Sequence, residues 1–487
     1  MKKNIFLLVV FLLCLTEVFS QGNKESISID SALSVVKGFY SHNEKKTYDQ
    51  FHLPEKCGTW VHQFIRSQWN NLSLLQQKEY NQLVSGLTYD TSIIRGQFQI
   101  FYFKSGTNGA KIVNQVGDSI GSALAYAESV GVYLNYAKEI EIDSLGYLPP
   151  LVGSIAVHLE DLNNLYGFTD GFSITIDNDF LRSEYPTYSV NAAKVTAAHE
   201  FHHMIQYRYN ANPSRFFMEL TSTWMEDVVF NDVNDYYFYL QSPNGQFANP
   251  SAAFTLNNSS IEYSRCIWGK FLEEYFQKQF GTNDTGRMVM RRSWENIRSG
   301  METIHAIDSA LKSVHSDFTK AFSAFSYWNL FIGKNSADTV NFYSEGHNYF
   351  WYQRIGINSY VRRDRVTYEP LHFVNGSKIT YTDSLEYIST KYFPFTFGSD
   401  TVLTILSREG IDNTSSLASF RYTLRQESGD SIFQSLPNGF SRKLEMRATS
   451  GWVYSDSTWN AEELITRQIS EEEILVYPNP FVYDGTQ

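Results

Sequence analysis

His199-Glu200-Phe201-His202-His203 constrains the fold of this chain more than any other stretch. Histidines four positions apart converge if the backbone is helical, because one turn of 3.6 residues brings both imidazoles onto the same face. The flanking residues favour that helix. Ala192, Ala193, Ala197 and Ala198 carry high helix propensity, while Val195, Ala198, His202 and Ile205 fall on one stripe. No Gly or Pro interrupts Asn191 to Asn210, and Pro213 follows a stop at Asn210-Ala211-Asn212. Two converging imidazoles form half of a tetrahedral zinc site. Glu200, about 100° further round the helix, stands beside the open position of such a metal, where it can take a proton from bound water. His202 is spare and reads as a packed residue or a donor behind the ligands.

A zinc site of this design needs a third protein ligand, so a second helix must return to the first. Met218-Glu219-Leu220-Thr221-Ser222-Thr223-Trp224-Met225-Glu226-Asp227 supplies the acidic candidates. Glu219 lies 16 positions after His203, enough for a turn and an antiparallel return, and is the expected ligand. Glu226, one heptad on, shares its face and is a natural partner for a ligating histidine, and it is the alternative third ligand. The competing reading is a solvated acidic face. Phe216, Phe217, Trp224 and Met225 surround the carboxylates with apolar residues and weigh against it.

The run Thr196-Ala197-Ala198-His199-Glu200-Phe201-His202-His203-Met204-Ile205-Gln206, with Phe217-Met218-Glu219 and Trp224-Met225-Glu226-Asp227, resembles the gluzincin branch of zinc metallopeptidases. More closely it is similar to secreted bacterial metalloproteases with an A-H-E-F-x-H-x-I-Q helix and a W-M-E-D helix. The resemblance extends from about Gly96 to about Gly346 and includes Tyr147-Leu148-Pro149-Pro150 and Ile174-Thr175-Ile176-Asp177-Asn178-Asp179. It implies a zinc peptidase acting on proteins or peptides, with His199, His203 and Glu219 as metal ligands and Glu200 as general base. Gluzincins usually set the third ligand in E-G-x-A, whereas Leu220-Thr221-Ser222 follows Glu219 here. The resemblance also places a tyrosine over the metal to stabilise the oxyanion. Tyr263, in Ile261 to Trp268, is the candidate, beside the plain reading that it packs half-buried as one of 32 tyrosines. A strand upstream of the active helix often pairs with extended substrate, a role expected here for Ile174 to Ile176. Asp177 and Asp179 could bind calcium, for which nothing else in the chain speaks. A turn with two exposed carboxylates is the preferred reading.

Lys2-Lys3, the apolar run Ile5 to Leu15 and the small residues before Gln21 form an export signal over residues 1–20. Cys14 lacks the small preceding residue of a lipoprotein box. Removing Lys2, Lys3 and Glu17 moves the net charge from −12 to −13, which argues against nucleic acid or an anionic membrane as partner. No later run has the length of a membrane span. The expected location is secreted or at the cell surface.

Residues 21–90 read as a helical prosegment, broken by Leu53-Pro54-Glu55-Lys56-Cys57-Gly58-Thr59. Cys57 has three readings here: a thiolate that occupies the open metal position and holds the enzyme latent, a disulfide partner of Cys266, or one of two free buried thiols. Residues 91–362 are expected to form an α+β zincin-like domain, a twisted sheet plus active-site helices. The strands foreseen are Gln97 to Phe103, Ser154 to Leu159 and Phe172 to Ile176, with a helix over Ser119 to Ala137. Residues 363–468 carry short alternating strands and suggest an all-β sandwich-like domain. In 469–487, Ile474-Leu475-Val476-Tyr477-Pro478-Asn479-Pro480-Phe481 resembles the opening of a C-terminal sorting domain, with truncation at Gln487 the preferred expectation and a plain Pro-containing tail the alternative. That resemblance implies the type IX secretion machinery of the Bacteroidetes as a partner. Two readings compete with the exported endopeptidase: a non-catalytic surface or adhesion module on a protease scaffold, and an aminopeptidase or other zinc hydrolase. Retention of His199, Glu200, His203 and Glu219 argues against a decayed scaffold.

Overall fold

The computed structural model describes residues 5–14, 27–40, 53, 55–85, 87–258, 260–336, 341–356, 359–368, 378–382, 388–397, 402–409, 419–426, 431–435 and 441–449. The tail read as a sorting-domain opening lies outside the described residues.

The apolar run expected as the core of an export signal is a strand, β1 (Ile5–Cys14). Ten residues of Ile, Leu, Val, Phe and Cys suit a strand as well as a leader. Next come α1 (Ile29–Phe39), β2 (Glu55–Cys57), α2 (Thr59–Ser67) and α3 (Leu74–Ser85), then β3 (Thr91–Arg95), β4 (Phe98–Tyr102), β5 (Ile112–Val113) and β6 (Ser119–Gly121). The helix foreseen from Ser119 begins instead at Ala123, as α4 (Ala123–Lys138). Ser122 caps it by accepting the Ala125 N–H at 3.2 Å, which frees Ser119 to Gly121 to pair with β5. β7 (Ile155–Glu160), β8 (Leu165–Thr169) and β9 (Ser173–Asp177) complete a six-stranded mixed sheet in the order β2-β8-β9-β7-β4-β3. β4, β7 and β9 run parallel, β8 runs antiparallel to β9, and β2 pairs parallel with β8.

The long helix carrying the histidines is α5 (Ser189–Tyr209), and it is followed by α6 (Arg215–Val229). α4 packs over β3 and β4, α5 over β8 and β9, and the two helices lie against each other. Between them Phe98, Ile100, Val157, Ile174 and Ile176 from the sheet meet Val130, Leu134, Val195, Phe201 and Ile205 in one core. Each such side chain contributes about 1.5–3 kcal/mol when fully buried. That apolar frame fixes the histidine helix relative to the sheet. α7 (Tyr236–Gln241), α8 (Ile261–Ser264) and α9 (Ile267–Phe280) pack against α6, α10 (Asp284–Arg298) packs on α9 and α5, α11 (Thr303–Lys312) on α10, and α12 (Phe318–Trp328) on α11 and α9, followed by a hairpin of β10 (Trp351–Gly356) and β11 (Ser359–Arg363).

Residues 21–90 are not set apart from the sheet. β2 is one of its edges, and α1, α2 and α3 bury Leu33, Val36, Val61, Ile65 and Tyr80 against Leu162, Leu165 and Phe168 at β8. The strands of the last third are β12 (Lys378–Thr382), β13 (Thr390–Phe397), β14 (Val402–Glu409), β15 (Ser419–Gln426), β16 (Ser431–Ser435) and β17 (Ser441–Thr449). They make an antiparallel sheet in the order β12-β17-β14 and another in the order β13-β1-β15-β16. The start of β13 is moored to the helical region: the Tyr392 hydroxyl donates to Ser326 O at 2.7 Å, and the Phe254 N–H donates to Ile388 O at 2.9 Å.

One glycine sets how closely β8 approaches α5. A Cβ on Gly167 would stand 2.7 Å from the Thr175 carbonyl oxygen, 2.9 Å from Thr196 Cγ2 and 3.3 Å from Glu200 Cγ. The nearest of these is backbone and cannot swing away. Gly167→Ala is expected to destabilise the fold by about 1–3 kcal/mol, the usual scale for overpacking, read as a lower urea midpoint at unchanged slope. An unchanged midpoint would show that β8 and α5 are not held this tightly.

Candidate metal centre

α5 stops at Tyr209, the chain turns through residues 210–214, and α6 returns antiparallel. This hairpin brings Glu219 to the two histidines. His199 Nε2 and His203 Nε2 are 3.1 Å apart, and Glu219 Oε2 lies 3.3 Å from the first and 3.5 Å from the second. Ligand atoms at about 2.0–2.1 Å from a tetrahedral zinc are separated by about 3.3 Å, so these three atoms already have the spacing of a zinc ligand set. Cys57 Sγ is the fourth donor: one ligand atom from each of Cys57, His199, His203 and Glu219 lies within 4.8 Å of all the others, and all four residues are buried. The donor set, two imidazoles, a carboxylate and a thiol, is one that zinc accepts. Among the described residues it is the one such cluster of three or more metal-binding side chains.

The nitrogens that face away from the cluster are also held. His199 Nδ1 lies 2.7 Å from Glu226 Oε1, and Glu226 Oε2 lies 2.9 Å from the Lys56 ammonium. His203 Nδ1 lies 2.7 Å from Gln206 Oε1 and 3.1 Å from Ser222 Oγ. The Gln206 amide donates to Met218 O, Thr221 Oγ1 and Ser222 Oγ at 2.9–3.0 Å, which fixes its carbonyl oxygen toward His203. A proton on each Nδ1 leaves both Nε2 lone pairs for the cluster. Burial opposes a charge on His199, but hydrogen bonds to Glu219 and Glu226 outweigh it and lift the imidazole to about 9. Burial likewise opposes ionisation of Glu219, yet the charge of His203 and hydrogen bonds from both histidines pull it down to about 2. The carboxylate thus draws protons onto the imidazoles, and a metal ion bound through both Nε2 atoms would replace them.

Glu200 lies beside this group. Its Oε2 accepts the Thr59 hydroxyl at 3.1 Å and lies 3.7 Å from Cys57 Sγ, while its Oε1 is buried without a hydrogen-bond partner. Burial raises its pKa, against the lowering effect of His199 and His203. Tyr263 is fully buried rather than half-buried, with its ring 6.4 Å from that of His199 and in one cluster with Cys57 and Tyr239. Its hydroxyl also has no hydrogen-bond partner. The five residues singled out from sequence, His199, Glu200, His203, Glu219 and Tyr263, therefore lie together.

Other expectations change. His202 faces away from the cluster, with Nδ1 at 2.7 Å from the buried carboxylate of Glu141. Asp177 and Asp179 are buried, not exposed. Asp177 accepts the N–H groups of Phe180, Leu162 and Asp179 and the Tyr185 hydroxyl, at 2.6–3.1 Å, and Asp179 pairs with Lys111 at 3.1 Å. These carboxylates brace the turn after β9. Ile174 to Ile176 cannot offer a backbone edge to a substrate, because β9 has β8 on one side and β7 on the other. Cys57 and Cys266 are both free and buried, so the disulfide reading falls. Sequence reasoning missed Lys56, Thr59, Gln206, Ser222 and Asp235. Only Gln206 left a signal there, three positions after His203 and so on the same helix face.

No protein-family model matches the chain, and no curated protein is similar to it.

Two substitutions check the centre. Glu226→Gln, which weakens the acceptor for His199 Nδ1, is expected to lower zinc affinity by about 10–100-fold in a chelator competition, with the fold retained. Glu219→Ala is expected to abolish stoichiometric zinc. Full zinc occupancy in that variant would take Glu219 out of the ligand set.

Proposed function

We propose that the chain is an exported zinc-dependent metallopeptidase built on a zincin-like α+β domain. The observation that carries this reading is Glu200: a carboxylate buried beside the cluster, one oxygen unpartnered, on the helix that supplies two of the donors. Burying a carboxylate this way is costly, and a purely structural metal site has no use for it. His199, His203 and Glu219 would hold the ion. Bound zinc would supply an acidified water and a polarised carbonyl.

The protein's own groups do the rest. Glu200 takes the proton of the attacking water and returns it to the leaving amine. The Tyr263 hydroxyl, otherwise without an acceptor, donates to the oxygen on which charge develops. Glu226 and Gln206 keep both imidazoles in the tautomer that points Nε2 inward. Export rests on Lys2-Lys3 and the apolar run that follows, whose removal on export would leave β13 and β15 without the strand between them.

A second reading rests on Cys57. With four donors the cluster is closed, as structural zinc sites are, and the chain would then be a surface module on a protease-like scaffold. The test compares casein cleavage and zinc content in a Cys57→Ala background, with and without Glu200→Gln. The expected outcome is one zinc per chain in both, with cleavage lower by about 10²–10⁴-fold where the base is missing. Equal cleavage in both would remove Glu200 from the mechanism. Zinc without cleavage in either would favour the structural site.

A further inference from the structure

An extended peptide that binds beside an active helix needs an open strand edge, and the interior placement of β9 moves that edge outward to β8. The outer edge of β8 is covered by three residues, Glu55 to Cys57, joined to it by Glu55 N–H to Asn164 O and Gly58 N–H to Gly167 O, both at 3.0 Å. Gly167, the residue opposite Cys57, is the one whose missing Cβ lets β8 pass over Glu200. The covering strand therefore lies where a scissile bond would have to lie. Its last side chain, Cys57, supplies the fourth donor of the cluster.

The middle side chain points into a built pocket. The Lys56 ammonium is fully buried, paired with Glu226 Oε2 at 2.9 Å and with Asp235 Oδ2, and lies 4.5 Å from the ring centre of Tyr166 and 5.4 Å from that of Tyr239. Each carboxylate has its other oxygen engaged by the body of the protein: Glu226 Oε1 with His199, and Asp235 Oδ1 as acceptor for the Tyr166 hydroxyl at 3.0 Å. Two carboxylate oxygens and two aromatic faces thus converge on one cation that the N-terminal segment supplies. The segment behind the strand packs Leu33, Val36, Val61, Ile65 and Tyr80 in one apolar cluster with Leu162, Leu165 and Phe168 at β8.

Resting on the peptidase reading, we propose that the strand Glu55–Cys57 occupies the substrate groove, with Cys57 closing the metal centre and Lys56 filling a subsite for a lysine or arginine side chain. The chain is then latent as folded. Binding of the thiol to the metal would release its proton, for which Glu200 Oε2, 3.7 Å away, is the near acceptor. On release of the strand the fourth position would open to water, and Glu226 and Asp235 would face an empty pocket that a basic substrate residue neutralises.

The experiment uses the full-length chain loaded with cobalt(II), wild type beside Cys57→Ala and the near-isosteric Cys57→Ser, so that a misfolded alanine variant does not end the test. Wild type is expected to show the near-ultraviolet sulfur-to-cobalt absorption, and both variants to bind one cobalt without it. Zinc-loaded variants are expected to cleave a mixed peptide library about tenfold or more faster than wild type, with Lys or Arg favoured about tenfold over Met at one fixed position from the cut. Identical cobalt spectra in all three proteins, or a wild type as active as the variants, would overturn the proposal. Cleavage without preference for a basic residue would overturn the assignment of the Lys56 pocket. Failure of all three to bind cobalt, or spectra as expected with no cleavage by Cys57→Ala even when Lys56→Met is added to free the strand from its pocket, would instead bring down the peptidase reading on which the proposal stands.

Discussion

Glu226 is the carboxylate on which the centre of the molecule depends. One of its oxygens orients His199 and the other meets Lys56, so a single side chain on α6 couples the histidine helix to the N-terminal strand. Buried charges persist only when they are paired, and leaving one partner behind costs about 3–5 kcal/mol. The groups around Glu226 meet that condition in sequence. Lys56 balances Glu226 and Asp235, and the two histidines balance Glu219. The apolar core sets where the helices lie; this chain of charges determines which side chains can share the space between them.

Glu200 and Tyr263 fall outside that balance. Each is fully buried and each carries an oxygen without a hydrogen-bond partner, as Glu219 does at Oε1, whereas Glu226 Oε1 and Gln206 Oε1 are engaged by the histidines. Incomplete satisfaction is expected where a site must still receive a water or a carbonyl oxygen. The contrast with His202 is instructive. It lies on the same helix between His199 and His203, yet its ring is tied to Glu141 on the opposite side, and it takes no part in the cluster. Helical phase alone separates these roles.

What the sequence made legible was local. The period of α5, the pairing of His199 with His203, the return of Glu219 and the position of Glu226 all follow from spacing within one helical hairpin. Strands β4, β7 and β9 were readable from alternation, because their faces point to a core. What escaped depended on strand order, which no window of sequence records. β9 is interior only because β8 folds back antiparallel beside it, and Lys56 finds Asp235 across 179 residues of chain. The buried state of Asp177 had the same origin, since its hydrogen-bond donors come from Leu162 and Tyr185 as well as from its own turn.

The separation between Cys57 and its neighbours in the centre also bears on how the molecule assembles. The segment that carries Cys57 leaves the ribosome before β8, its pairing partner more than a hundred residues later, and β8 in turn pairs with β9. A contact this distant in sequence forms late, when the loop it closes has already been shortened by the folding of everything between. The helical hairpin with His199, His203 and Glu219 is by contrast a local unit. An ion that binds there would therefore load onto three donors while the site is still open to solvent, and the arriving strand would then seal it. Its exchange would afterwards be governed by how often the edge strand lifts away, so that the metal content would record the ions present during folding.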